Sequence, residues 1–226
     1  HGLELDPRLL RDNDMTPHQC SSTLGRTLAS LPPVSLAPYT PVDGGSMPPS
    51  EEQIVAACSA DTGDAINWPA LAFDCPNLAD YNLFTDASDP RSTPRGERTL
   101  PYDLTTPLFS DYSVKYRTVF LPPDGQARWR DLDDGTQETL LFPVGTVISK
   151  TFAFPNGSDE DVVETRLLIK RANADGSFNW QGLPYIWETG DNGERRALLS
   201  LGGGRASVSW DYADPDTGTP YVGRTD

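Results

Sequence analysis

The segment Thr139–Trp187 reads TLLFPVGTVISKTFAFPNGSDEDVVETRLLIKRANADGSFNWQGLPYIW, and its reading decides the fold. Three runs rich in β-branched and aromatic residues stand in it: Val147–Phe154, Val162–Ile169 and Leu183–Trp187. Pro155-Asn156-Gly157 separates the first two, and Ala174-Asp175-Gly176 separates the second from the third. These are residue types that enter turn conformations at little cost. In the second run Val163, Thr165, Leu167 and Ile169 fall on one face and Glu164, Arg166 and Lys170 on the other, the period of a half-buried strand. Short strands at this spacing, with no long helix between them, predict an antiparallel fold.

Working outward from this segment, the same pattern recurs. Asp111–Phe120 alternates Val114, Tyr116 and Thr118 with Lys115, Arg117 and Val119. Gln126–Arg130 and Thr136–Phe142 are short strands between turns, and Leu100–Ser110 is an extended, packed segment. Glu194–Leu201 and Arg205–Tyr212 are strands hinged on Gly202-Gly203-Gly204, and Asp214–Gly218 is a further turn. The expected fold class is mainly β, an antiparallel β-sandwich of jelly-roll-like type over residues 78–226. Residues 1–77 read as an irregular Pro/Gly-rich arm with one or two short helices. Thr23–Leu31 is one candidate helix. Ser50 is a candidate N-cap, with Glu51 and Glu52 in the first turn, Gln53 at the capping-box position and Ile54–Cys58 as the helix body. Trp68–Phe84 is expected to make one or two helical turns covering an end of the β core.

Composition narrows the function classes. The chain has 226 residues, 18 basic against 33 acidic, for a net charge of −15. Such a field repels phosphate, which argues against nucleic acid and anionic membranes as partners. No run of about 18 apolar residues occurs, so no helical membrane span is predicted. The first residue is His1 rather than Met, which points to something upstream having been removed. Of three cysteines, the reading favours a Cys58–Cys75 disulfide closing a short loop, while Cys20 remains able to pair with either.

Chemistry-bearing constellations are sparse. A copper site would have to use His1, through its amine and imidazole, with His18 as a third nitrogen. Acidic turns at 131–135, 158–161, 173–176 and 214–216 lack the twelfth-position Glu of a complete calcium loop, so calcium is unsupported. No Gly-x-Ser-x-Gly elbow is present, and no catalytic residue is assigned. Trp180, Tyr185 and Trp187 are candidate ligand-binding residues, because an aromatic platform on a β surface stacks sugar rings. Tyr185 and Trp187 also share the spacing of core residues, and core packing is the favoured reading. Glu164 and Arg166 are expected to join a cross-strand ion-pair ladder with Lys150.

Several longer phrases carry a resemblance: LADYNLF (78–84), LPYDLTTPLFSDYSVKYRTVFLPP (100–123), FPVGTVISKTFAFP (142–155), ETRLLIK (164–170), WQGLPYIWE (180–188) and VSWDY (208–212). Over about two thirds of its length the chain resembles the haem-free N-terminal region of a family of exported bacterial proteins that includes di-haem c-type cytochromes. In that family a β-rich region precedes Cys-x-x-Cys-His haem-attachment motifs. This chain contains no such motif and cannot attach a c-type haem covalently. The resemblance implies a non-catalytic periplasmic, cell-surface or secreted β domain of an electron-transfer system. It would act in docking or haem shielding, with haem c carried in a C-terminal continuation or by a protein partner. A carbohydrate-binding module, with glycan as ligand, and a copper-binding protein are the alternatives from other classes.

Overall fold

The computed structural model describes residues 49–226 other than 107, 111, 131–138, 206, 215 and 226. Residues Gly44–Asp226 form one compact unit. The expected Thr23–Leu31 helix, the calcium turn at 131–135, and His1, His18 and Cys20 lie outside the described residues.

The described chain is mainly β and antiparallel. Helix α1 (Glu51–Cys58) begins as its sequence predicts. The Ser50 side chain accepts from the Gln53 N–H and the Gln53 side chain accepts from the Ser50 N–H, which satisfies two otherwise unpaired donors. Two 3-10 turns follow, Trp68–Ala72 and Leu78–Tyr81. Ten strands complete the fold: β1 (Thr99–Pro101), β2 (Val114–Phe120), β3 (Arg128–Arg130), β4 (Thr139–Leu141), β5 (Val147–Asn156), β6 (Asp159–Ala172), β7 (Phe178–Thr189), β8 (Arg195–Leu199), β9 (Val208–Ala213) and β10 (Pro220–Thr225). Six of them form one sheet in the order β1-β2-β5-β6-β7-β8, while β3–β4 and β9–β10 are separate two-stranded sheets. Strand β10 has Tyr221 and Val222 at its centre but Pro and Gly within it, so its strand pattern is weak in sequence.

One face of the large sheet is the core. Phe120, Val147, Thr151, Thr165, Leu167, Ile169, Leu183 and Tyr185 are buried there, joined by Trp187 and Ala197. The layer packed on it comes from residues 58–84: Cys58, Ile66, Ala70, Leu71, Cys75, Leu78, Tyr81, Leu83 and Phe84. Of residues 50–77, grouped with the arm in the sequence reading, Cys58, Ile66, Ala70, Leu71 and Cys75 belong to the core of the β unit. The two 3-10 turns contribute Ala70, Leu71, Leu78 and Tyr81 to this layer. A β-bulge where Phe152 and Ala153 meet β6 makes Val163 the unpaired extra residue. Val162, not the expected Val163, thereby joins Thr165, Leu167 and Ile169 on the buried face.

A disulfide joins Cys58 to Cys75, as the sequence reading favours, tying the end of α1 to the segment between the two 3-10 turns. Such a bond persists in an oxidising, extracytoplasmic compartment. Among the described residues no helix is long and apolar enough to cross a membrane.

Candidate functional site

The other face of the large sheet is open. The register places Arg117 of β2 directly opposite Lys150 of β5, and Lys150 directly opposite Arg166 of β6. Three cations thus stand in a row across three adjacent strands, in a chain whose net charge is −15. Like charges directly opposite one another in a sheet are destabilising, so the pairing of these cations with one another does not stabilise the sheet. The expected ladder pairing Lys150 with Glu164 does not form, because Glu164 lies opposite Phe152 and Lys150 opposite Arg166. Glu164 instead receives a two-pronged contact from Arg166 of its own strand, Nε to Oε1 at 2.6 Å and Nη2 to Oε2 at 2.8 Å. Phe152 supports two of the cations: Lys150 Nζ lies 4.6 Å and the Arg166 guanidinium 4.8 Å from its ring centre.

Arg117 is the unusual member. Its side chain is 6% exposed, yet its nearest carboxylate is Asp103 at 3.4 Å, which is itself in solvent. Its other described contact, to the Lys115 carbonyl, is 3.5 Å. A guanidinium carries five N–H donors, and both of these long contacts use Nη1. Lys150 makes no hydrogen bond or ion pair among the described residues. Burial, together with Arg117 and Arg166, pushes its pKa down, against an opposing pull from Glu164. Lys115 is pushed down too, by burial and by Lys150 and Arg117.

These cations line a groove of about 670 Å³, with Ile148, Leu168, Pro184 and Leu104 among its apolar walls. A second, largely apolar pocket of about 630 Å³ adjoins it, and both share Tyr102 and Ile148 as lining residues. Leu100, Val119, Leu121, Leu140 and Phe142 line the second pocket. Leu100, Leu104, Leu140 and Leu168 are each at least 44% exposed, an apolar strip of the kind that marks an interaction surface.

The aromatic residues singled out from sequence are not brought together. Trp180 is opposite in parity to Tyr185 and Trp187 on β7 and so lies on the other face of the strand. Tyr185 is fully buried and Trp187 is 8% exposed. Tyr185 donates to the Cys75 carbonyl at 2.8 Å, and Trp187 Nε1 donates to Thr165 Oγ1 at 2.9 Å. The three therefore form no common surface on which a sugar ring can stack, and the core reading holds for Tyr185 and Trp187. Trp180 packs edge-on against Phe142 with ring centres 6.1 Å apart.

Another charged cluster is internally satisfied. Arg91 forks onto Asp89 at 2.9 and 3.0 Å and reaches Asp159 at 3.0 Å. Tyr116 donates to Glu160 Oε2 at 2.5 Å, and burial plus the Glu160 carboxylate push its phenol up to about 12. The only grouping of described residues with metal-ligand spacing is Cys58, Cys75 and Asp80, whose two sulfurs are consumed by the disulfide. Nothing in sequence marks the cation row itself, because it depends on the strand register.

Comparison with models of protein families, with curated proteins and with solved structures finds no match.

Proposed function

We propose that this chain is a non-catalytic docking domain of a c-type cytochrome system, located in the periplasm or at the cell surface, and that it docks through the open face of the large sheet. The observation that carries the docking role is the row Arg117–Lys150–Arg166 beside exposed leucines. A cation row maintained against its own repulsion, in an acidic chain, suits an acidic partner surface. Association would be steered electrostatically and weakened by salt. The cytochrome link is supported by the sequence phrases described above. Four of them supply β2, nearly all of β5, half of β6 and most of β7, so they carry the cation row and part of the core. The disulfide supports the location.

The test is the intact mass and visible spectrum of the native protein purified from its source at low salt. A c-type haem absorbance travelling with these residues is expected, on a longer chain or on a partner that salt releases. A mass matching the 226 residues with no haem absorbance at any salt concentration overturns the cytochrome link.

A further inference from the structure

We propose that the open face is also a small-molecule site, which binds an amphipathic carboxylate with its head on the cation row and its apolar tail in the adjoining pocket. This rests on the open face being a binding face and not on the link to a cytochrome. The head-group site is Arg117 and Lys150. The Arg117 side chain is 6% exposed, its Nε and Nη2 make no hydrogen bond among the described residues, and Lys150 beside it touches no carboxylate among them. Arg166 is already engaged by Glu164 and closes the row as a partly neutralised wall. A planar guanidinium next to an ammonium matches a carboxylate, which accepts at two oxygens.

The tail path follows from the shared lining. From the row, Tyr102 and Ile148 lead directly into the pocket walled by Leu100, Val119, Leu140 and Phe142. Each of the two spaces lies in the size range of small-molecule sites, and together they give a charged end and an apolar end. A purely ionic ligand would leave the leucines in water, and a neutral lipid would leave Arg117 and Lys150 unpaired. Only a molecule with both features satisfies the whole surface. The charged groups facing the head site are Arg117, Lys150, Arg166 and Glu164, with Lys115 and Asp103 at its margin.

The experiment is calorimetric titration of the full chain with decanoate, decylamine and acetate, below micellar concentrations, with backbone amide shifts mapping the site. Decanoate is expected to bind at least ten-fold more tightly than either of the others and to shift amides of β2, β5 and β6. Lys150→Gln, which alters a partly exposed head, is expected to weaken decanoate at least ten-fold without lowering the thermal transition. Leu140→Glu, at an exposed site on the tail path, is expected to weaken decanoate without changing the response to acetate. Equal affinity for decanoate and decylamine, no binding of decanoate, or undiminished binding by Lys150→Gln would each overturn the proposal. Decanoate binding without haem co-purification removes the cytochrome reading alone. Haem co-purification without decanoate binding removes this proposal alone.

Discussion

The hydroxyls of Tyr81 and Tyr185 lie 3.0 Å apart at the centre of the core, where they fasten the disulfide loop to the sheet. Tyr185 donates to the Cys75 carbonyl, and Tyr81 accepts from the Cys75 N–H at 3.0 Å while donating to the Phe73 carbonyl at 2.9 Å. Both backbone groups of a fully buried cysteine are thus satisfied by tyrosines, with the rings edge-to-face at 6.1 Å. Tyr185→Phe leaves the Cys75 carbonyl without that partner. It is expected to cost about 1–3 kcal/mol in chemical denaturation, the usual penalty for a stranded buried polar group. Tyr81→Phe strands two groups and is expected to cost more than Tyr185→Phe.

The disulfide closes a loop of 17 residues' separation. A cross-link of that span restricts the unfolded chain by about 3 kcal/mol. The double variant Cys58→Ser, Cys75→Ser is expected to lower Tm by about 6–12 °C, measured calorimetrically. Cys75 is fully buried and Cys58 nearly so, so reduction of the native protein by dithiothreitol should be slow and should accelerate sharply with sub-denaturing urea.

Most of the scaffold is legible in sequence, and the reasons are local. Ser50 and Gln53 announce α1 because capping is a contact within one helical turn. The alternation in β2 and β6 announces most of their faces because side-chain period is a property of a single strand. The differences concern relations between strands. Val163 leaves its expected face because a bulge is set by pairing with β5, and the expected Lys150 ladder is absent because register decides whether Glu164 or Arg166 stands opposite it. The candidate site is a row across three strands, so it becomes visible only once register is known. The covering layer from residues 58–84 is irregular, held by 3-10 turns and a disulfide, and carries no period to read.

The Tyr116–Glu160 contact makes a pH prediction with a definite sign. The folded-state phenol is raised from 10.0 to about 12, so between those values the folded protein holds a proton that the unfolded chain has lost. Its contribution is fully present below pH 10 and is lost as pH rises toward 12. The raised Tyr185 phenol acts in the same direction. Denaturation midpoints should fall steeply over that alkaline window. Tyr116→Phe should make the fall shallower while costing about 1 kcal/mol at pH 7 through the lost hydrogen bond.

Trp187 and Trp180 separate core from surface. Trp187 is buried and hydrogen-bonded to Thr165, whose hydroxyl lies 2.8 Å from that of Thr151. Trp187→Ala is expected to cost about 3–5 kcal/mol and to abolish any binding only through unfolding. Trp180→Ala, on the far face and 38% exposed, is expected to cost less than half as much. Similar losses for the two would contradict the assignment of faces.

Lys150 gives the sharpest test of whether the cation row is kept for binding. Lys150→Glu places a carboxylate between Arg117 and Arg166, so two repulsive cross-strand pairs become attractive. Each such pair is worth about 0.2–1 kcal/mol in either sense, and after the lost Phe152 ring contact and the new repulsion from Glu164 the variant is expected to be more stable than the native protein by about 1 kcal/mol. For a domain of this size that raises Tm by about 2–4 °C, and 1 M salt should remove more of the gain from the pair with exposed Arg166 than from the pair with buried Arg117. The same variant should lose decanoate binding entirely, because a carboxylate now occupies the head-group site. A more stable protein that no longer binds is the signature of a row retained at a cost in stability for its ligand. A destabilised variant would mean that the three cations support the sheet in a way their register does not reveal.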